Sequence, residues 1–200
     1  MSASPTPATR VDPAEVMPTL LAAFTHDPVA RWLYPVDETY ERAYPEVVAL
    51  SAGAAFDAGT IDGAPGGTAI ALWVPPRADV DRDELGAAWA AHFQAHVDPA
   101  RLGHVFAWGE QVEHFHPTEP HWYLAQIAVT PGQQGRGRGT ALLRSGLERC
   151  DREGSPAYLE ASSPRNRALY ERHGFEPVAE IRVADSPPIW PMHRPPVGER

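Results

Sequence analysis

Apolar side chains at helical spacing dominate the first half of the chain. Residues 12–24 (DPAEVMPTLLAAF), for example, follow this spacing behind an acidic first turn. Helices are predicted at the segments that share the pattern: residues 12–24, 27–35 (a short helix or a turn), 37–58, 79–97 and 98–114. Pro45 predicts a kink or a boundary inside the third of these segments. The run TAIALWVPP after Gly66 and Gly67 is short, apolar and bounded by glycine and proline, which predicts a strand.

The second half has a different pattern. Residues 121–129 (HWYLAQIAV) are apolar nearly throughout, which predicts a strand buried on both faces. Residues 140–152 form an amphipathic pattern typical of a helix, and residues 158–161 predict a short strand. Two further strands are predicted over residues 177–183 and 189–194.

Local signals bracket one more helix, in the segment SPRNRALYERHGF. Ser163 is a good N-cap, and Pro164 suits the first helical position. Gly174 suits the left-handed position after the helix. Further on, Pro191 would confine the last strand to a sheet edge or a bulge, because proline has no backbone N–H to donate.

Composition narrows the class of protein. The 200 residues are 43% hydrophobic, which suits one globular domain spanning residues 1–200. A net charge of −9 disfavours nucleic-acid binding and suits a cationic small substrate. No apolar run is long enough for a membrane span, and the start lacks a signal-peptide pattern. With a single cysteine, the expected location is the reducing cytoplasm, as a monomer or a homodimer.

The loop PGQQGRGRG lies between the predicted strand 121–129 and the helix 140–152. A strand, a glycine-rich turn and a helix form the general layout of a phosphate cradle, since bare backbone N–H groups approach the anion. Gly132 and Gly137 have the spacing of a P-loop, but Arg138 and Gly139 replace its lysine and hydroxyl. The glycines also miss the spacing of a dinucleotide-binding fingerprint.

The spacing that fits is Gln-x-x-Gly-x-Gly, at Gln134, Gly137 and Gly139. Together with Asn166 and Tyr170 in the later segment NRALYERHGF, it resembles the GCN5-related N-acetyltransferase (GNAT) superfamily. The stretches HPTEP, WYLAQIAVTPGQQGRGRG, YLEASSPRNRALYERHGF and IWPMHR look similar to its puromycin N-acetyltransferase branch.

This resemblance implies the α/β/α GNAT fold, of α+β class. Its central mixed, mostly antiparallel twisted sheet has about six to seven strands, is flanked by helices, and is splayed between the fourth and fifth strands. The first strand would be short or absent here, because SPTPATR contains two prolines and little apolar character.

The resemblance also implies acetyl-CoA as co-substrate, without a metal. The acetyl group would pass directly, in a ternary complex, to a primary amine of a small molecule, such as a puromycin-like aminonucleoside in antibiotic resistance. The alternatives are a protein N-terminus, a lysine or a polyamine as acceptor, or a non-catalytic acyl-CoA-binding domain.

The expected cofactor contacts follow the family motifs. The backbone N–H groups from Gly135 to Thr140 would bind the pyrophosphate, and the strand around Ile127 would pair with the pantetheine arm and polarise the thioester carbonyl. The full expected set is Ile127, Ala128, Val129, Gln134, Gly135, Arg136, Gly137, Arg138, Gly139, Thr140, Asn166 and Tyr170.

Acid and base roles have named candidates. Tyr170 is the expected general acid, since the reference pKa of tyrosine (~10) is only modestly above that of a thiol (~8.5). Glu160 is the first candidate for the base, directly or through water, and Glu119 is the second. An acceptor that arrives with a low pKa would need no strong base.

An aromatic-lined acceptor pocket is expected from large side chains in the N-terminal helices, the central strands and the end of the sheet. The expected walls are Phe24, Trp32, Tyr34, Trp73, Trp122, Tyr123, Trp190 and Met192. Cys150 is expected in the core, on the leucine face of its helix. His114, His116 and His121 lack the spacing of a metal site and are expected in a surface turn.

Overall fold

A mixed β-sheet organises the chain in the computed structural model, which describes residues 9–10, 13–78, 80–196 and 198. The strands are β1 (Thr9–Arg10), β2 (Ile61–Gly63), β3 (Ala69–Val74), β4 (Trp122–Val129), β5 (Ala157–Ala161), β6 (Glu176–Pro177) and β7 (Trp190–Arg194). The helices are α1 (Pro13–Phe24), α2 (Pro28–Leu33), α3 (Asp37–Ala58), α4 (Arg82–His96), α5 (Leu102–Phe115), α6 (Arg138–Glu153) and α7 (Pro164–Glu171), with a short 3-10 turn at Pro65–Gly67.

The strands lie in the order β1-β2-β3-β4-β5-β7-β6. Among the described residues all neighbouring pairs are antiparallel except β4 and β5, which are parallel. The expected mixed, mostly antiparallel sheet flanked by helices is therefore confirmed.

Each face of the sheet packs against its own layer of helices. The side chains of β3 alternate between the layers, as strand geometry requires: Ile70 and Leu72 belong to one core cluster and Trp73 to the other. The first cluster joins β3 to α1 and α3, and the second joins it to α6. The sheet is thus covered on both sides.

The two central strands part soon after they begin. Strand β4 pairs with β5 only at Trp122 with Ala157 and at Tyr123 with Tyr158. Further along, β4 remains paired to β3, but the register shifts between Leu72 and Trp73, so that Ala125 is an extra residue on β4. The sheet therefore opens on the β5 side of β4, which is the expected splay between the fourth and fifth strands.

The predicted helices are all present, with corrections to detail. The helix Asp37–Ala58 continues through Pro45, so this proline is not a boundary. Gly174 has the expected positive φ (85°), two residues beyond the C-cap Arg172. Strand β4 is not buried on both faces: Tyr123 and residues 125–127 are half-buried, because the opened sheet exposes them to a cavity.

The end of the sheet differs from the prediction. In place of a strand over residues 177–183, the structure has the two-residue β6 and an isolated bridge between Ile181 and Ile189. Pro191 lies neither in an edge strand nor in a bulge, because β7 sits between β5 and β6. Its carbonyl accepts from Val178 N–H (2.8 Å) on the β6 side. The N–H and C=O of a strand residue point the same way, so the N–H that Pro191 lacks would have faced the short strand β6.

Of the proline-containing first segment, only Thr9 and Arg10 are described, and they form the short β1 paired with β2. No helix among the described residues has an apolar stretch that would cross a bilayer.

The packing of α6 on β3 generates the first prediction. A Cβ added to Gly146 of α6 would overlap the indole ring of Trp73, which is fully buried and cannot move aside. Gly146→Ala should therefore lower the free energy of unfolding by about 1–3 kcal/mol, as measured by urea denaturation.

Gly86 of α4 is the matched control, because it is also helical and a Cβ there meets nothing within 4 Å. Gly86→Ala should raise the free energy of unfolding by about 1 kcal/mol through helix propensity alone. Equal effects of the two substitutions would contradict the close approach of α6 to the sheet.

Candidate active site

The glycine loop turns sharply into α6 by using left-handed backbone. Gly135 and Gly137 have φ of 74° and 77°, a region in which other residues are strained. Gly137 is the N-cap of α6, and no side chain of the described residues caps this helix end. The N–H groups of residues 138–140 precede the first helical bond, from Ala141 N–H to Gly137 O. They are therefore available to an anionic ligand, as a phosphate cradle requires.

The side chains of the loop are held by their neighbours. Arg138 donates to the Thr68 hydroxyl at 2.9 Å, whereas the exposed Arg136 donates to Gln133 at 3.2 Å. The Gln134 amide donates to the carbonyl of Val129 at 3.2 Å, which ties the loop back to the end of β4.

The backbone of β4 presents an open edge beside this loop. Thr130 N–H donates to Thr68 O, so the backbone of Thr130 faces β3. Alternation then turns Ala128 toward β3, and Ile127 and Val129 toward the side where β5 has parted from β4. An extended ligand can pair with Ile127 and Val129 but not with the backbone of Ala128. This corrects the expectation that all three residues would be available.

A cavity of about 1490 Å³ occupies the gap. It exceeds the roughly 300–1,000 Å³ of a typical small-molecule pocket, so it has room for two ligands. Its walls come from β4, the end of β5, the end of α1, and helices α2, α3, α4, α5 and α7. The open strand edge at Ile127 and the side chains of Glu160, Asn166 and Tyr170 share this space.

Tyr170 and Asn166 reach the cavity from α7. Ser163 caps this helix by accepting from Asn166 N–H at 3.2 Å, and Pro164 occupies its first turn, as the sequence predicted. The Tyr170 hydroxyl makes no hydrogen bond to any residue that the structure describes. Burial raises the pKa of Tyr170, and the nearby charge of Asp27 raises it further, so the phenol keeps its proton.

Asp27 is a cavity residue that the sequence analysis did not identify. One carboxylate oxygen caps α2 by accepting from Val29 and Ala30 N–H, both at 3.0 Å, and the other accepts from the Ser162 hydroxyl at 2.5 Å. Burial raises the pKa of Asp27 against the lowering effect of these hydrogen bonds. A negative charge at this position therefore favours a cationic neighbour in the cavity.

Glu160 points into the cavity rather than outward into solvent. Its side chain is 10% exposed, and one oxygen accepts from the Tyr123 hydroxyl at 2.9 Å. The other oxygen, Oε1, is buried without a hydrogen-bond partner among the described residues and lies 3.6 Å from His116 Nδ1. Glu119 also lines the cavity, but its side chain is exposed.

The hydrogen-bond partners of His116 and His121 determine which ring nitrogen of each carries a hydrogen. His121 Nδ1 lies 2.7 Å from the Glu119 carbonyl oxygen, which only accepts, so this nitrogen carries hydrogen. Burial lowers the pKa of His121, which favours the neutral ring with Nε2 as an acceptor. His116 Nε2 lies 3.2 Å away and must then donate.

The other nitrogen of His116, Nδ1, faces the unpartnered Oε1 of Glu160 at 3.6 Å. An imidazole nitrogen and a carboxylate oxygen can each accept a proton, so the two atoms form one site suited to proton transfer. The prediction of a histidine-rich surface turn is wrong: His116 is half-buried and His121 is buried, and the exposed His114 lies in the last turn of α5.

The large side chains expected to line a pocket divide into two groups. Phe24, Tyr34 and Tyr123 line the cavity. The other expected side chains, which do not line it, are Trp32, Trp73, Trp122, Trp190 and Met192.

The second group is held elsewhere. Trp73 and Met192 are fully buried in the core on the α6 side of the sheet, because strand alternation turns them away from the cavity. Trp122 donates to Glu153 of α6, Trp190 to Glu180, and Trp32 to Asp185.

Helices α3, α4 and α5 supply aromatic walls that the sequence analysis missed: Tyr44, Trp89, Phe93, Phe106 and Trp108. Trp89 and Phe93 stand four residues apart on α4, with ring centroids 5.4 Å apart. The spacing of Trp89 and Phe93 in the sequence identified the apolar side of a helix, but it did not indicate which part of the molecule that side would contact.

Cys150 is confirmed as a core residue. It is fully buried, its thiol donates to Gly146 O at 3.2 Å, and burial raises its pKa to about 12. A thiol with that pKa remains protonated at neutral pH and is a poor nucleophile.

The arrangement brings three chemical capacities to one space. The loop and the start of α6 offer an anion cradle, the open edge of β4 offers pairing for an extended arm, and the cavity between them holds Glu160, His116 and Tyr170. This set fits a long phosphate-bearing ligand that meets a second, smaller molecule.

Comparison with known proteins identifies the family to which this chain is similar. Residues 64–175, more than half of the chain, match the acetyltransferase (GNAT) family. A segment of 54 residues is 43% identical to an uncharacterized N-acetyltransferase of Schizosaccharomyces pombe, covering 27% of this chain and 22% of that protein. The chain therefore spans about a fifth of the length of this relative.

Solved structures resemble the chain over most of its length. A Corynebacterium glutamicum protein described as histone acetyltransferase HPA2 and related acetyltransferase is 25% identical, with a TM-score of 0.66 and 96% of both chains covered. A putative arylalkylamine N-acetyltransferase of the yellow fever mosquito is 14% identical, with a TM-score of 0.63 and coverage of 94% of this chain and 86% of that one. The second likeness concerns the fold alone.

Proposed function

Because the chain belongs to the acetyltransferase (GNAT) family, we propose that it transfers an acetyl group from acetyl-CoA to a primary amine of a small cationic molecule. The observation that carries this proposal is the cavity at the splay of β4 and β5, where a strand edge, a tyrosine and a carboxylate–histidine pair converge.

The donor side follows from backbone groups. The uncapped N–H groups of residues 138–140 would hold the pyrophosphate, with Arg136 adding positive charge from the exposed side of the loop. Ile127 and Val129 would bind the pantetheine arm along the open edge of β4. Acetyl-CoA would supply a thioester, whose carbonyl the Ile127 N–H can polarise.

The acceptor side follows from charge and ring surface. Asp27, Glu119 and Glu160 all line the cavity and favour a cation. The rings of Trp89, Phe93 and Trp108 offer flat apolar walls that suit an aromatic or other planar group. An aromatic primary amine, of which a puromycin-like aminonucleoside is one example, combines both features.

The amine must lose a proton before it attacks, and we assign the base role to Glu160 acting with His116. The amine's proton would go to Glu160 Oε1, directly or through water, and be shared with His116 Nδ1 across their 3.6 Å separation. His121 supports the pair by accepting from His116 Nε2. Glu119 is less suited, because its exposed side chain has no comparable partner among the described residues.

Tyr170 would act on the departing sulfur. Burial raises its pKa, which enlarges the mismatch with a thiol beyond the modest gap expected from the sequence. Full proton transfer to the sulfur is therefore less favourable than a hydrogen bond that stabilises the negative charge forming there. The free hydroxyl of Tyr170 is suited to donate that bond.

The function itself is tested by release of the CoA thiol from acetyl-CoA, with a panel containing puromycin, phenylethylamine, spermidine and peptides with free N-termini or lysines. We expect release with the aromatic small amines. Release with peptides alone would replace the acceptor class and keep the chemistry. Acetyl-CoA binding without release from any acceptor would favour a non-catalytic role.

Tyr170→Phe removes only the hydroxyl. A hydrogen bond to a charged group contributes about 1.5–3 kcal/mol, so kcat should fall roughly 10- to 100-fold. The dissociation constant of acetyl-CoA, measured by calorimetry, should stay unchanged, because the cradle and strand edge are untouched. Unchanged kcat would remove Tyr170 from the reaction.

Glu160→Gln keeps an acceptor for the Tyr123 hydroxyl but cannot take a proton. Loss of a general base typically costs a factor of 10² to 10⁴, so kcat at neutral pH should fall by about 100-fold or more. Glu119→Gln is the matched control and should leave kcat nearly unchanged. The reverse ranking in steady-state assays would assign the base to Glu119.

A further inference from the structure

A second cluster of ionisable side chains lies between α3 and α4, and the proposed transfer does not use it. His92 and His96 stand four residues apart and so share one face of α4, while Glu46 reaches them from α3. Glu46 Oε2 lies 2.9 Å from His92 Nδ1 and 3.1 Å from His96 Nε2. One donor atom from each of the three residues can be chosen so that all lie within 4.8 Å of one another.

We propose that Glu46, His92 and His96 bind a divalent transition-metal ion of the zinc type. Two imidazoles and one carboxylate are a common protein ligand set for Zn²⁺, with water in the remaining position. Both contacts to Glu46 Oε2 are already near the separation of neighbouring ligands at about 2.0–2.2 Å from one ion. The remaining adjustment falls on Glu46, whose side chain is 53% exposed and free to move.

The burial of the three side chains suits a bound ion that is partly open to solvent. The side chains of His92 and His96 are only 2% and 7% exposed, and the exposed Glu46 provides the route by which an ion enters.

A supporting hydrogen bond is already in place. The buried Tyr34 hydroxyl lies 2.6 Å from His92 Nε2. Without an ion, Tyr34 donates to Nε2 while Nδ1–H donates to Glu46. With an ion on Nδ1, the proton sits on Nε2 and Tyr34 accepts it. A metal-bound histidine usually needs such a partner on its second nitrogen, because it fixes the tautomer and the ring orientation.

An ion bound at this site would stabilise the wall of the cavity that α4 forms. Trp89 and Phe93 of α4 line that cavity, as does Tyr34 itself. An ion shared by Glu46 and the two histidines would hold α4 against α3 more firmly than the hydrogen bonds alone. The expected role is therefore structural, and the inference does not depend on the acetyl transfer.

The test uses the full chain without a histidine tag, treated with EDTA and exchanged into chelator-free buffer. Calorimetric titration with ZnCl₂ and thermal unfolding with and without ZnCl₂ are compared for the wild type, Glu46→Gln, His96→Gln and His104→Gln. His104 is an exposed histidine of α5 outside the cluster, so His104→Gln is the control. Glu46→Gln removes an exposed group, which keeps the test valid if His96→Gln folds poorly.

We expect one Zn²⁺ per chain, with a higher melting temperature, for the wild type and His104→Gln. The association constant should fall by about tenfold or more in Glu46→Gln and His96→Gln, and the rise in melting temperature should disappear. The proposal is overturned if the wild type does not bind zinc. It is equally overturned if the cluster variants bind zinc as tightly as His104→Gln, since the ion would then lie elsewhere.

Discussion

The parting of β4 from β5 is the constraint on which the rest of the structure depends. A buried strand edge with unpaired N–H and C=O groups is costly, so a protein keeps one only where a partner arrives from outside. After Tyr123 and Tyr158 the two strands no longer pair, and Ile127 and Val129 face the gap. Everything proposed for catalysis lies along this opening: the loop at the end of β4, the cavity beside it, and the side chains that close the cavity from β5 and α7.

The bulge at Ala125 shows how a one-residue change in register builds that opening. Before the bulge in the chain, the side chains of Trp122 and Leu124 pack toward α6. After it, the side chains of Ile127 and Val129 pack toward α6. Gln126 is thereby turned to the other face, where it accepts from the Tyr44 hydroxyl at 3.0 Å. The extra residue therefore allows Gln126 to bond to α3, and it orients the backbone edge of β4 beside the loop for pairing.

Residues with local signals could be placed from the sequence, and residues decided by long-range packing could not. Ser163, Pro164 and Gly174 bracket α7 through capping and left-handed geometry, both of which depend on a few neighbouring residues. Trp73 and Tyr123 lie in apolar runs with no polar alternation, so nothing nearby indicates which face of the sheet each side chain takes. The approach of His116 to Glu160 depends on how α5 returns to the sheet, which no periodicity records.

The cavity walls and the proposed reaction machinery come from different stretches of the chain, which bears on how the proposed enzyme would change over evolutionary time. Except for Tyr123 and Tyr170, the Phe, Tyr and Trp side chains of the walls come from residues 24–108, whereas the loop, the open part of the β4 edge and Tyr170 all follow residue 123. Substitutions at the cavity-facing positions of α4 and α5 change the first region and leave the residues of the second region themselves unchanged. New acceptor preferences of the proposed enzyme would therefore arise by substitutions in one stretch of the gene, while the residues proposed for the chemistry, in the other stretch, are preserved.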